Sequence, residues 1–445
     1  MFSEVDSMLI EFSVTNFRSI EARQTLSMVA SADTAHLQRN VTPVQEKDLR
    51  LLRSAAIYGP NASGKSNLLR AVETLRLMVW VSAAGQEGQR LPVVPFLLSK
   101  ESAGKPSAFE ILFIADDGVR YHYACEASPE RVYKEWLVAY PHGRPQRWFE
   151  REYLPQTNSY TWWFGPNFKG ERTERKVWQD FTRSNALFLS TAIQLNNAQL
   201  RPAFTWITQR LIVLLPGVGV NFNPALSLNL LQQEKNRIMD FMRAADIGID
   251  RLELKEEELV PAPPPPGPVM PGAARLRIEI GLPPGEGLPS GASPQVPKAY
   301  RVMALHKMLD ANEEVPLDMS DESDGTRKLF EFVGGWVHAF DWGATLLVDE
   351  LDRSLHPYLT RFLIEWFNNV ANEKNAQLVF TSHDTTLLDT DLLRRDQIWF
   401  AEKDERQSTH LYSLLEYSPR KDEALERGYL KGRYGAIPFI GTLAG

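Results

Sequence analysis

A single cysteine, Cys125, is all the thiol chemistry in this 445-residue chain. That excludes an internal disulfide, a cysteine-based zinc site and a zinc hook of the Cys-x-x-Cys kind. Surplus positive charge is missing too: 49 Lys and Arg against 56 Asp and Glu leave a net charge of −7. A surface that clings throughout to phosphate backbones is thereby excluded, and any nucleic-acid contact is expected to be local or to go through a partner. No stretch approaches the ~20 apolar residues of a membrane span, and the longest apolar run, 211–220, is interrupted by Pro216. Residues Met1 to Asp6 carry Glu4 and Asp6 instead of a basic stretch before an apolar one, so no targeting signal is read. The expected setting is reducing cytoplasm, with no membrane contact. There is neither a repeat of roughly 20–50 residues nor a sustained heptad pattern.

What is present is ordinary for a packed chain: 43% hydrophobic and 24% charged residues, with length for about two to three domains. Residues 9–17 and 25–30 read as strands, and 51–58 is an apolar run that ends in Gly59-Pro60-Asn61. From Gly64 the spacing of Leu68, Leu69, Val72, Leu75 and Val79 is helical. Two alternating runs flank Asp116-Asp117-Gly118 and predict a hairpin, continued by aromatic-rich strands over 131–163. Residues 184–210 and 236–245 read as helical. The segment 261–297, with Pro263 to Pro266 and Pro283-Pro284, sustains neither a helix nor a central strand. After it, helix 328–339, strand 345–348, helix 358–370 and strands 377–381 and 397–401 alternate, as in a parallel α/β sheet.

The strand–turn–helix junction carries Gly59-Pro60-Asn61-Ala62-Ser63-Gly64-Lys65-Ser66, which satisfies G-x-x-x-x-G-K-[ST]. Glycines at those positions let backbone N–H groups converge on phosphate at a helix N-terminus. Lys65 is placed to reach β/γ oxygens and Ser66 to ligate Mg²⁺. Hydrolysis also needs a second metal ligand and an oriented water. Thr345 to Val348 is an apolar strand that ends in Asp349-Glu350, where Asp349 can support Mg²⁺ and Glu350 can polarise the water. A third strand ends at Thr381-Ser382-His383-Asp384. His383 at that edge can meet a γ-phosphate, since ligands of open α/β sheets collect there.

Together with Phe17-Arg18-Ser19-Ile20, these residues resemble the ABC-type ATPase heads of the SMC/RecF/OLD group. Ser323-Asp324-Gly325-Thr326-Arg327 resembles a variant ABC signature, with Asp324 in place of a glycine. The resemblance implies that Ser323, Gly325 and Thr326 face the γ-phosphate held by a second subunit; an ordinary Ser/Asp helix cap reads the same residues equally well. His356, in Leu351-Asp352-Arg353-Ser354-Leu355-His356-Pro357, stands where transporter ATPases carry an aspartate and resembles the OLD branch. No Q-loop glutamine can be placed; Gln86, Gln89 and the region of Pro95-Phe96 are the alternatives.

A finer resemblance is to stand-alone prokaryotic anti-phage defence ATPases of the Rlo-A and Abi-L types, and more distantly to the PARIS ATPase. It is carried by Pro95-Phe96-Leu97-Leu98, Leu187-Phe188-Leu189-Ser190 with Gln194-Leu195-Asn196-Asn197, and Gly432-Arg433-Tyr434-Gly435-Ala436-Ile437-Pro438-Phe439. What this implies is an α/β P-loop ABC-type ATPase head with an antiparallel β lobe and a helical insertion. It would bind ATP and Mg²⁺, and two heads would sandwich nucleotide in a homodimer or a higher assembly. The implied role is a sensor or regulatory subunit that controls a separately encoded effector, a nuclease or TOPRIM-like protein; a RecF-like DNA-repair or DNA-binding ATPase is the alternative.

The expected organisation is an N-terminal ATPase lobe (1–183), a helical insertion with the proline-rich stretch (184–310), a C-terminal ATPase lobe (311–417) and a tail (418–445). About 60 residues follow His383, short of the roughly 100 of a typical domain, so a complete TOPRIM domain is not expected within them. Asp389 and Asp391 are better read as capping residues. Bases and aromatics interleave over 131–176, and a half-buried sheet or a partner-binding face explains them better than strand-stacking on nucleic acid. Residues 420–433 read as a solvated helix or a site of effector docking.

Overall fold

In this computed structural model the described residues are 7–44, 49–215, 224–244, 248–258, 298–308, 313–369, 372–420 and 423–437. The proline-rich stretch 261–297 lies outside them. The chain divides into two compact units, Met1–Leu226 with Glu331–Gly445, and Ser227–Phe330.

The first unit is built from two sheets. One has seven antiparallel strands, in the order Ser159–Phe164, Gln146–Leu154, Val132–Tyr140, Arg120–Ala127, Ser107–Ile114, Met8–Thr15 and Gln24–Ser27. The hairpin at Asp116-Asp117-Gly118 joins two of them, with Gly118 at φ 73°. The other sheet has the order Leu211–Leu214, Thr345–Val348, Gln377–Thr381, Ser54–Tyr58, Ile398–Lys403 and Thr409–Ser413. Its first five strands are parallel and the last is antiparallel. Continuous burial of Ser54–Tyr58, Thr345–Val348 and Gln377–Thr381 is the pattern of strands covered on both faces.

The helix Lys65–Val81 supplies one cover. Its apolar side chains Leu68, Leu69, Val72, Leu75, Met78 and Val79 share one core with Phe12, Phe109 and Ile111 of the antiparallel sheet and with Val213, Leu347 and Val379 of the parallel sheet. The opposite cover comes from the part of helix Asp324–Trp342 beyond Glu331 and from helix Pro357–Phe367, joined by Trp336 and Phe340 against Phe367. The strand Leu211–Leu214 was not foreseen: it begins the run read above only as too short for a membrane. Residues 184–210 are not one helix but Phe188–Gln194, Arg201–Thr205 and a π-turn at Trp206–Arg210, since Asn196-Asn197 and Pro202 interrupt the ladder.

The second unit contains the part of helix Pro224–Gln233 from Ser227 onward, helix Lys235–Ala244 and a three-stranded antiparallel sheet of Arg251–Glu258, Lys298–Lys307 and Glu314–Asp318. That sheet is a departure from an insertion read as helical. Its strands are rich in charge, and the buried residues Leu252, Ala304 and Leu305 follow no regular alternation, since Ala304 and Leu305 are adjacent and point to opposite faces. The C-terminal segment also departs from the solvated helix expected of it. Leu425, Tyr429 and Tyr434 are buried, and Tyr429 and Tyr434 both stack on Phe400. Among the described residues no helix is long and apolar enough to cross a membrane.

Candidate functional site

The strand Ser54–Tyr58 ends at Gly59, and the chain must turn sharply before the helix begins at Lys65. Two glycines make this turn possible. A Cβ on Gly59 would lie 2.1 Å from the Ala401 carbonyl oxygen, and one on Gly64 would lie 2.0 Å from Thr409 Oγ1. Gly64 also sits at φ 104°, where L side chains are strained. Gly64 is the helix N-cap and offers no side-chain cap; the Asn67 N–H turns back to the Gly64 carbonyl at 2.9 Å, and the Lys65 and Ser66 N–H groups before it are placed for an anion that the helix dipole favours.

Neighbouring elements hold the loop from outside. Thr409 Oγ1 donates to the Ser63 carbonyl at 2.9 Å and meets Ser19 Oγ at 2.8 Å. Asn67 Nδ2 donates to Ser19 Oγ at 2.7 Å, and the Thr409 N–H donates to the Ser19 carbonyl at 2.7 Å. The Phe17-Arg18-Ser19-Ile20 turn thus ties the first antiparallel strand to the phosphate loop and to the last strand of the parallel sheet.

Asn61, Ala62, Ser63, Gly64, Lys65 and Ser66 line a cleft of about 270 Å³ with Asn67, Arg70, Asp349, Glu350 and His383. The acids and the histidine arrive there because Thr345–Val348 and Gln377–Thr381 run parallel to the loop strand and end on the same edge. Gly59 and Pro60 contribute their carbonyls, which accept from Lys65 Nζ at 2.7 and 3.1 Å. Burial pulls the Lys65 ammonium down to about 8, against the opposing pull of Asp349, Glu350 and Asp352. Burial and the Lys65 charge hold His383 below its usual range, so its imidazole is neutral at pH 7. The His383 N–H donates to Asp352 Oδ2 at 3.2 Å, which anchors the loop after its strand.

Asp349 is buried and accepts from Thr381 Oγ1 at 2.7 Å. Glu350 is half-exposed, sits at φ 52°, and has Arg353 at 3.3 Å. Ser63 Oγ is buried and has no hydrogen-bond partner among the described residues. A hydroxyl without a partner among the described residues, a lysine held by the loop's own carbonyls, and hard oxygen donors at Ser66 and Asp349 together fit a polyphosphate with Mg²⁺, which prefers carboxylate, hydroxyl and phosphate oxygens.

Ser323, Gly325 and Thr326 lie in the second unit. Ser323 Oγ accepts from the Thr326 N–H at 3.1 Å and meets Thr326 Oγ1 at 2.8 Å, so the helix-cap geometry is present. Gln86 and Gln89 do not line the cleft; Gln89 Oε1 accepts from the Gln86 N–H. Asp389 caps a turn through the Asp391 N–H and pairs with Arg361 at 2.5 Å. Of the interleaved aromatics, Trp148, Phe149 and Phe168 are buried, whereas Trp163 is exposed beneath Arg147. Four residues at or behind the cleft escaped the sequence reading. Asn67 and Arg70 follow Ser66 by one and four positions, and Arg70 is foreseeable from the helical repeat; Asp352 and Thr381 become visible only through strand pairing.

A family model described as "AAA domain, putative AbiEii toxin, Type IV TA system" matches residues 54–389. No curated protein matches the sequence. Among solved structures, an SMC head bound to the C-winged helix domain of ScpA is 12% identical, with a TM-score of 0.42 over 92% of this chain and 99% of that one. An Smc head with an extended coiled coil, bound to the C-terminal domain of ScpA derived from Pyrococcus furiosus, gives 13% and 0.41 over 93% and 98%. The recombination mediator protein RecF with ATP gives 14% and 0.40 over 93% and 99%.

Proposed function

We propose, from the premise that the chain belongs to that AAA-domain family, that it binds and hydrolyses ATP as the regulatory subunit of an anti-phage system and controls a separately encoded effector. The observation that carries the ATPase reading is the single cleft shared by the phosphate loop, Asp349, Glu350 and His383. The family description names a putative toxin and a toxin–antitoxin system, which supports a defence role. The net charge of −7 favours leaving nucleic-acid chemistry to a partner, either a nuclease or a TOPRIM-like protein.

In this reading the loop N–H groups and Lys65 hold the β- and γ-phosphates. The Lys65 ammonium exchanges the Gly59 and Pro60 carbonyls for phosphate oxygens, which restore the preference for its charged form. Ser66 and Asp349 would hold Mg²⁺, which supplies neutralisation of phosphate charge. Glu350 orients and deprotonates the attacking water. His383 donates a hydrogen bond to the γ-phosphate from a position fixed by Asp352. Ser323, Gly325 and Thr326 would reach the nucleotide of a second subunit in a head-to-tail homodimer.

The test is to purify the full chain and measure phosphate release from ATP. Lys65→Ala is expected to abolish both nucleotide binding and release, and Glu350→Gln release alone. Co-expression with the neighbouring gene product, followed by purification with and without ATP, tests the regulatory part. A chain that hydrolyses ATP but binds duplex DNA tightly, with the steep salt dependence of counterion release, and retains no protein partner would replace this reading with a DNA-repair one.

A further inference from the structure

Thr381 is the last residue of strand Gln377–Thr381 and is wholly buried. Its neighbour strand, Thr345–Val348, delivers Asp349 and Glu350 from the adjoining end. The Thr381 hydroxyl donates its one proton to Asp349 Oδ1 at 2.7 Å and accepts the Glu350 N–H at 2.8 Å. Its carbonyl accepts the Leu351 N–H at 3.1 Å. One residue therefore pins three consecutive residues of the acid turn. Glu350 takes φ 52° there, a left-handed conformation that a residue with a side chain adopts only where its surroundings over-determine it.

We propose that Thr381 is a positioning residue for the ATPase: its hydroxyl fixes the metal-side carboxylate of Asp349 and the backbone from which Glu350 reaches the attacking water in one geometry. The inference rests on the ATPase reading above. Thr381 does not line the cleft. It acts by committing one oxygen of Asp349, which sets the orientation of the carboxylate, and by holding the Glu350 peptide. A valine would fill the same volume without either bond, and a serine would restore both.

The experiment compares full-length wild type, Thr381→Val, Thr381→Ala and Thr381→Ser in three measurements: ATP turnover, Mg²⁺ titration of the binding of a fluorescent ATP analogue, and thermal melting with and without Mg²⁺-ATP. Removing a partner that orients a metal ligand commonly costs about 10–100-fold in metal affinity or activity. Both hydroxyl-free variants are expected to lose kcat within that range and to require about tenfold more Mg²⁺ for half-maximal binding, with metal-free affinity for the analogue unchanged. The serine variant is expected to stay near wild type in all three. Alanine keeps the test open if valine does not fold. Wild-type kcat and Mg²⁺ dependence in Thr381→Val or Thr381→Ala would overturn the proposal, as would equal losses in the serine variant, which would assign the effect to the methyl group. If wild type neither hydrolyses ATP nor binds it in a Mg²⁺-dependent way, the ATPase reading itself fails and the proposal falls with it.

Discussion

Replacing Arg151 with methionine probes the stability of the antiparallel lobe separately from the nucleotide site. Arg151 and Glu135 are both 0% exposed and pair at 2.9 Å. The Glu135 carboxylate also accepts from the Phe188 N–H at 2.7 Å, the Leu189 N–H at 2.9 Å and Tyr123 Oη at 3.0 Å. Phe188 and Leu189 open the helix Phe188–Gln194, whose N-cap residue is Leu187 and gives no side-chain cap. Glu135 thus caps that helix from a neighbouring strand, satisfying two orphaned donors and meeting the positive end of the dipole. Arg151 in turn donates to the Ala186 carbonyl just upstream.

Methionine fills much of the arginine volume but leaves a carboxylate buried without its cation. Breaking one side of such a pair costs about 3–5 kcal/mol. At about 2 °C per kcal/mol, the low end for long chains, the melting temperature should fall by roughly 6–10 °C. Glu135→Gln keeps an acceptor for the helix but leaves the guanidinium unpaired, so a loss of the same order is expected. The double variant Glu135→Leu/Arg151→Met removes both charges, and its loss should be smaller than the sum of the two single losses, measured as coupling in a double-mutant cycle. The helix so capped grips the far end of the phosphate-loop helix, with Ser190 Oγ donating to the Val79 carbonyl at 2.6 Å and the Leu187 N–H donating to Ser82 Oγ at 3.0 Å. Val79 is fourteen positions along the helix from Lys65, about 21 Å, so ATP affinity at low temperature should not change. Differential scanning fluorimetry and analogue binding decide the matter: an unchanged melting temperature in Arg151→Met would refute the buried-pair reasoning, and lost affinity would refute the separation of lobe from site.

Glu350→Gln should bind ATP as wild type does and lose turnover by about 10²–10⁴-fold, the range for a general base, read as phosphate release; normal turnover would remove Glu350 from the mechanism. Gly64→Ala should abolish nucleotide binding in equilibrium titration, because its Cβ meets Thr409 Oγ1 at 2.0 Å and φ is 104°; retained affinity would show that the loop tolerates a different path. The Lys65 shift fixes the sign of a pH effect. Its folded value, about 8, lies below the ordinary 10.5, so burial of the charge destabilises the free protein below about pH 8, and that penalty fades as pH rises from about 8 to 10.5. Bound phosphate favours the charged form, so ATP affinity should weaken above pH 8 by up to about tenfold per pH unit. Calorimetry in buffers of different ionisation enthalpy should detect proton uptake on binding there, and a flat affinity profile would contradict the shift.

The residues gathered at the cleft were legible because each is confined to a short pattern with a local cause. Gly59 to Ser66 needs a strand before it and a helix after it, and Asp349-Glu350 needs only an apolar strand. Thr381 and Asp352 were not legible, since their roles come from strand neighbours 32 and 31 positions away that no local window contains. Leu211–Leu214 was overlooked because four apolar residues at a sheet edge look the same in a strand and in a helix. Glu135 and Arg151 are charged residues that a local window assigns to a solvent face, and only their inward pairing across adjacent strands shows that they are core residues. Tail residues 425–434 are charged in sequence, yet they pack through Leu425, Tyr429 and Tyr434 at a spacing too irregular to register as amphipathic.

The order of the parallel sheet bears on how the chain is made. Strand Ser54–Tyr58 finds its two neighbours in Gln377–Thr381 and Ile398–Lys403, more than 300 residues later in synthesis. A ribosome that has emitted the phosphate loop, the antiparallel lobe and the second unit has therefore not yet assembled the cleft, and it leaves a strand that is wholly buried in the fold with both edges open, an aggregation hazard. Interruption of translation before Gln377 leaves the strand that leads into the phosphate loop without either of its neighbours, so the cleft can form only once both have been made.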